Sequence, residues 1–179
     1  ESDRLSNGTS VDAYTFAVFI QDEIKLVKDL TVYAGLRYAK HEQFGNSFSP
    51  KVSALFNVND FNFRAAYAKG FKAPDLKELY YRYQRGSTLY LGNKDLDPQK
   101  NDYYSLSAEY MAKGVTISVS GYVNDLKDMI AYKEIETSAE DAADRVKTTK
   151  EHYNIGEART QGIDLMFNVR LGAGFTFGG

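Results

Sequence analysis

Four tyrosines and two arginines crowd residues 80–90, "YYRYQRGSTLY", between two stretches that alternate apolar and polar residues. Tyr80, Tyr81, Tyr83 and Tyr90 offer amphipathic surface that loses little side-chain entropy on contact. Arg82 and Arg85 add charge suited to an anionic ligand or to phosphate. This is chemistry for gripping, and residues for bond making are sparse elsewhere. His41 and His152, the two histidines, fall near strand ends and read as ordinary surface residues. Neither has a serine or paired acids at a recognisable spacing, which disfavours a hydrolase or acyltransferase. "NKDLD" at 93–97 opens like a calcium loop, but Pro98 replaces the required glycine and Tyr104 stands where the glutamate belongs. "GAGFTFGG" contains Gly-x-Gly without the strand–helix context of a nucleotide site and reads as a turn. With no cysteine, thiolate metal sites, disulfides and cysteine nucleophiles are excluded. A net charge of −2 leaves no basic footprint for nucleic acid. No metal or cofactor is expected.

The elements that must position this grip are strands. In "VTISVSGYVN" at 115–124, Val115, Ile117, Val119 and Val123 share one face and Thr116, Ser118, Ser120, Tyr122 and Asn124 the other. Side chains alternate faces along a strand, so this strand has one oily and one wet side. The pattern recurs at Tyr14–Ile20, Leu30–Tyr38, Phe48–Phe56, Phe61–Tyr67, Tyr104–Tyr110 and Ile163–Val169, with a last strand starting at Phe175. About eight strands result, joined as an up-and-down antiparallel meander. Tight turns are expected at Lys28-Asp29, Asn59-Asp60, Lys113-Gly114 and Gly172-Ala173. Longer connections are expected at 42–47, 71–98 and 132–151.

Such a sheet suits a soluble barrel with its oily face inward, or a membrane barrel with that face outward. Aromatic placement favours the membrane. Tyr14, Phe16, Tyr38, Phe48, Tyr67 and Tyr104 fall at the long-loop ends; Phe56, Phe61, Phe63 and Tyr110 fall at the short-turn ends. Small and aliphatic residues fill the middle, and Ile117→Arg is expected to be costly if residue 117 lies near the bilayer midplane. Two aromatic girdles around an aliphatic band match a membrane interface. Arg37, Lys51, Arg64, Glu109, Asp164 and Arg170 occupy the opposite, luminal face. The N-terminal "ESDRLSNGTS" lacks an apolar signal core, so the chain reads as processed or excised.

Against that background "GFKAPDLKELYYRY" (70–83) and "LGNKDLDPQKNDYYSLSAEY" (91–110) resemble the signature region of TonB-dependent outer-membrane receptors. Phe71, Lys72, Ala73 and Pro74 match the family's Phe-Arg/Lys-Ala-Pro element. Leu76, Glu78, Leu79 and Tyr80 match the helical turn after it, and Gly92, Asn93, Leu96 and Pro98 match the next element. "GYVNDLKDMI" (121–130) and "YNIGEARTQGIDL" (153–165) resemble the following two strands, so the likeness covers nearly the whole chain. The resemblance implies a transmembrane barrel of about 22 strands with a plug in its lumen. About fourteen strands, the plug and the TonB-contacting segment then lie outside residues 1–179, a partial outer-membrane barrel domain.

The resemblance further implies a non-enzymatic receptor in the bacterial outer membrane. It would take up a scarce large nutrient of the siderophore, cobalamin or haem class, driven by TonB. Partners would be that nutrient, TonB, and outer-membrane lipid and lipopolysaccharide. A structural or engineered barrel scaffold without transport activity is the alternative. No histidine lies within 75–92, which disfavours the haem-binding mode some members use. Pro74 should keep Ala73 extended, and Asp75 should cap a short helix from Leu76. Tyr80, Tyr81, Tyr83, Arg85 and Tyr90 then serve either as a ligand-gripping loop or as self-packing and interfacial aromatics.

Overall fold

Three two-residue turns set the register of the sheet. Val27 pairs with Leu30, Val58 with Phe61 and Ala112 with Val115 across Lys28-Asp29, Asn59-Asp60 and Lys113-Gly114. Asn59 (φ 50°) and Gly114 (φ 81°) supply the left-handed backbone that tight hairpins require. The computed structural model describes residues 11–171 and 174–179; the expected Gly172-Ala173 turn lies outside them.

The long strands are β1 (Thr15–Val27), β2 (Leu30–His41), β3 (Gly45–Val58), β4 (Phe61–Lys72), β7 (Gln99–Ala112), β8 (Val115–Ile135) and β9 (Thr148–Arg170). With the short β10 (Thr176–Gly178), they form the expected eight-strand antiparallel meander, an open piece of barrel wall. Between β4 and β7 lie helix α1 (Leu76–Tyr80) and a small hairpin, β5 (Arg82–Arg85) and β6 (Thr88–Leu91). Helix α2 (Ala139–Ala143) caps the β8–β9 connection. Among the described residues no helix is long and apolar enough to cross a membrane, so any crossing falls to the strands.

Among the described residues, the oily face has no protein cover. Ile163 is 83% exposed and Leu106 65%, alongside Val18, Ile20, Leu36, Val52 and Leu165. A continuous aliphatic band of this kind in water would be an aggregation surface; in hydrocarbon it is a lipid contact. Aromatic pairs close the band at both ends. Tyr38–Phe48 and Tyr67–Tyr104 each meet at 5.1 Å on the long-loop side, and Phe61–Tyr110 at 5.0 Å on the short-turn side. On the luminal face, the Asn62 side chain donates to Glu109 at 3.0 Å, and Asn101 donates to Asn124 at 2.8 Å. Two residues of β1 break the segregation: Asp22 sits opposite Ala34 on the oily face, and Phe19 opposite Arg37 on the luminal face.

Two expectations need correction. The connection expected at 132–151 narrows to 136–147, because β8 and β9 continue outward through Tyr132↔His152, Lys133↔Glu151 and Glu134↔Lys150. Opposite charges facing across adjacent strands stabilise that extension. The connection at 42–47 also shortens, since β3 begins at Gly45. Ile117 lies opposite Tyr110 and Phe167, at the short-turn aromatic girdle, and Val119 lies nearer the middle of the aliphatic band, opposite Ala108 and Leu165.

The candidate ligand loop and its anchors

The loop from Phe71 to Pro98 starts where β4 leaves the sheet. Phe71 and Lys72 pair with Lys100 and Gln99; Ala73 and the buried Pro74 then turn the chain inward. Proline removes a ladder donor and holds its predecessor extended, which ends the strand here. Asp75 precedes α1, and the Glu78 carboxylate accepts from the Asp75 backbone N–H at 2.8 Å. The same carboxylate receives Lys72 Nζ at 2.7 Å. Strand end and helix start are thus tied by one side chain.

Leu79, Leu89 and Leu96, each 3% exposed, form a small core for the loop with Leu76 half-buried beside them. Gly92 permits its tightest contact. A Cβ at position 92 would lie 2.7 Å from the Leu79 carbonyl carbon and the Tyr80 nitrogen, inside backbone that cannot yield. Asn93 donates its backbone N–H to the Glu78 carbonyl at 2.8 Å and its side-chain N–H to the His152 carbonyl at 3.0 Å. Pro98 is half-buried just before β7.

The hairpin fixes the tyrosines. Gly86 (φ 60°) and Ser87 turn the chain between Arg85 and Thr88, and Tyr83 pairs with Tyr90. Their rings stack at 4.9 Å, and Tyr90 meets the edge of Tyr132 at 5.3 Å. Burial, reinforced by Tyr83, Tyr90 and Glu78, pushes the Tyr132 phenol up to about 12. Tyr80 accepts a hydrogen bond from the Gln43 side chain at 3.2 Å and carries Lys94 over its ring at 5.5 Å. Tyr80 and Tyr81, with Arg82, Lys94 and Glu151, line a cleft of about 340 Å³. Arg85 is exposed near the hairpin tip.

The hairpin then docks onto the membrane-distal end of β9. β6 pairs in parallel with β9, Thr88↔Thr148 through Leu91↔Glu151, a connection the meander reading does not contain. Thr149, 2% exposed, is sealed in this seam. Asn154 reinforces it, accepting from Asp97 N–H at 2.8 Å and donating to the carbonyls of Asp97 and Asp128. Both histidines, expected at the surface, are buried at 8% exposure. His152 Nδ1 donates to the Leu91 carbonyl at 3.1 Å, and its ring lies 4.1 Å from Tyr132. His41 Nδ1 accepts the backbone N–H of Gln43 at 3.1 Å in the β2–β3 turn. Each ring spends one nitrogen holding a loop.

Arg82 reaches across to Asp141 of α2, whose carboxylate also accepts the Ser138 hydroxyl at 2.7 Å. Ser138 first and Arg82 second hold that carboxyl below the usual carboxylate range, against the opposing effect of burial. A lowered carboxyl contributes stability above the ordinary value of about 4 and loses it as pH falls through the lowered one. The contact between the two loops is therefore expected to persist at neutral and mildly acidic pH and to fail only in stronger acid. Asp141→Asn should abolish that dependence. Limited proteolysis within 136–147 should be fast for the variant and slow for the native chain at pH 7; equal rates would deny Asp141 the latch.

Sequence reasoning does not find Tyr132, Asp141, Thr149 or Asn154. Their roles arise where the hairpin region meets the outer arm of β8, α2 and β9, whose parallel seam pairs residues 60 apart. A local signal for the hairpin exists in Gly86-Ser87 flanked by "RYQR" and "TLYL". A concavity of about 1150 Å³ is lined in part by Phe63, Leu106, Val119 and Ile163 of the oily face.

Comparison with known proteins agrees with this architecture. Residues 2–179 match the family described as TonB dependent receptor-like, beta-barrel. The siderophore receptor PirA from Pseudomonas aeruginosa superposes with a TM-score of 0.82 at 23% identity, over 93% of this chain and 33% of that one. A G324V mutant of the ferric enterobactin receptor PfeA, also from Pseudomonas aeruginosa, gives 0.75 at 23% identity, over 93% and 26%. The Serratia marcescens hemophore receptor HasR, in complex with HasA and heme, gives 0.73 at 12% identity, over 88% and 32%. This chain thus spans about a third or less of each solved relative. Its eight-strand meander is a section of such a barrel wall, and the chain belongs to the TonB-dependent receptor β-barrel family of the bacterial outer membrane.

Proposed function

We propose that residues 1–179 are a partial barrel domain of a receptor that takes up a scarce, large nutrient through TonB-coupled movement of a plug. The barrel would sit in the outer membrane, its oily band against lipid and its outer rim against lipopolysaccharide. No bond is made or broken; the loops supply affinity and the plug, belonging to segments beyond this sequence, supplies passage. The carrying observation is the Phe71–Pro98 loop. It is not a loose tether but a folded body, with a cleft at Tyr80 and Tyr81 and a stacked Tyr83–Tyr90 platform. Tyr80, Tyr81, Tyr83, Arg85 and Tyr90 are its proposed ligand-contact residues. Phe71, Lys72, Ala73, Pro74, Leu76, Glu78, Leu79, Gly92, Asn93, Leu96 and Pro98 are its proposed framework.

Relatives named for a siderophore, for ferric enterobactin and for a hemophore with heme support an iron-carrying nutrient over cobalamin. Uptake of radioactive iron presented as siderophore or as haem, in cells with and without the full-length protein, tests the reading. Transport should vanish when either the receptor or TonB is removed. Transport indifferent to the receptor for every iron source would overturn it.

A further inference from the structure

We propose that the oily side of β4, β7, β8 and β9, just beyond the long-loop aromatic girdle, carries a docking site for one phosphorylated lipid A molecule of the outer leaflet. Register places the charges. On β7, Asp102 and Lys100 precede Tyr104 at the two-residue spacing that keeps them on the oily side; on β8, Asp125 and Lys127 follow Val123 in the same way. The first rung beyond the Tyr67–Tyr104 pair therefore reads Lys69, Asp102, Asp125 and Arg159. The second reads Phe71, Lys100, Lys127 and Glu157.

The carboxylates of the first rung are satisfied. Asp102 accepts the Tyr67 hydroxyl at 2.7 Å, and Asp125 accepts two nitrogens of Arg159 at 2.5 and 3.1 Å. The second rung is not. Lys100 and Lys127 stand directly opposite each other, both exposed, and neither enters an ion pair among the described residues. Side chains so placed have Cβ atoms about 5 Å apart, and like charges there repel. Glu157, across from Lys127, is the one carboxylate of that rung, and it too joins no ion pair among the described residues. An anion between two such ammonium groups relieves the repulsion, and a phosphate has oxygens for both.

What lies below selects the anion. The charged rungs stand over the exposed aliphatic band, where Leu106 is 65% and Ile163 83% exposed. Gly121, opposite both, leaves a gap between them: a Cβ there would meet nothing closer than 3.8 Å. Free phosphate or an acidic protein would use the lysines and leave the band uncovered. A lipid with its phosphate at the girdle and its acyl chains along the band uses both. Lipid A carries phosphates at that level of the outer leaflet.

This inference rests on the receptor reading, which puts the long-loop end in the outer leaflet. The full-length receptor in detergent is titrated with bisphosphorylated lipid A, dephosphorylated lipid A and phosphatidylglycerol, and retained lipid is read by native mass spectrometry. The native protein should retain one bisphosphorylated lipid A and bind it at least tenfold more tightly than the other two. Lys100→Gln combined with Lys127→Gln should weaken that binding at least tenfold, and the corresponding double arginine variant should keep it. Lys51→Gln, on the luminal face, should change nothing. Thermal unfolding adds a readout of opposite sign. The double glutamine variant should be at least as stable as the native protein without lipid, because the repulsion is gone, and should gain less when lipid A is added. Lipid A binding undiminished in that variant overturns the site. Equal binding of phosphatidylglycerol or of dephosphorylated lipid A also overturns it, leaving a general anion surface or acyl contact alone. A double glutamine variant less stable than the native protein without lipid makes the lysines structural and likewise overturns it. Failed iron uptake with the lipid A preference intact overturns the transport reading and leaves the site standing.

Discussion

Val119→Arg is expected to destabilise the folded barrel by about 2–4 kcal/mol, the cost of an arginine facing lipid at the bilayer centre. Val119 is 45% exposed on the oily face and lies opposite Ala108 and Leu165, between the Phe61–Tyr110 and Tyr67–Tyr104 pairs. No neighbouring carboxylate shares its rung, so the guanidinium would have only hydrocarbon around it. Two comparisons sharpen the expectation. Ser120→Arg, one residue on, points to the wet lumen and should be mild. Ile117→Arg, at the inner girdle, should cost about 0–1 kcal/mol because the side chain can reach the interface. Folding titrations of the whole barrel in lipid read all three. If Ser120→Arg proved the most costly, the sheet would be inside out.

The second large effect concerns the loop. Replacing Tyr81 and Tyr83 together by alanine is expected to weaken ligand binding about five- to hundredfold, from two aromatic contacts of about 0.5–1.5 kcal/mol each. Tyr81 lines the cleft beside Lys94, and Tyr83 is half of the stack on Tyr90. The barrel should remain intact, since both residues belong to the loop between β4 and β7 and not to the girdled strands. Changes at Pro74 or Phe71 should instead lower the yield of folded protein, because they govern how β4 passes into the loop. Affinity of the full-length receptor for its own nutrient decides. An unchanged value in the double variant would leave these tyrosines as loop packing and nothing more.

Strand faces and tight turns are legible in this sequence because period-two alternation holds along most of the strands and two of the turns carry a residue fitted to them. Val115, Ile117 and Val119 declare their side without any neighbour, and Gly114 and Asn59 mark hairpins directly. The membrane follows from where Tyr67, Tyr104, Phe61 and Tyr110 fall along their strands. The loop is only half legible. Asp75 and Glu78 announce α1 through their spacing, but the parallel seam between β6 and β9 depends on segments brought together by the barrel itself. Local pattern therefore leaves Arg82 and His152 on the surface, whereas the fold pairs Arg82 with Asp141 and buries His152 against Leu91 and Tyr132. The outward extension of β8 and β9 escapes for a related reason. "AYKEI" and "TKEHY" look like solvated loop until their charges are seen to face one another.

The central claim is that these strands cross the outer membrane with the Phe71–Pro98 loop outside. Single cysteines at Ser87, in the exposed tip of the β5–β6 hairpin, and at Lys113, in the exposed β7–β8 turn, test it in a chain that otherwise has none. Labelling of intact cells with a membrane-impermeant thiol reagent should mark position 87 and spare position 113 until the outer membrane is opened. Labelling confined to position 113 would contradict the account, placing the tyrosine loop in the periplasm, where it could meet no external nutrient.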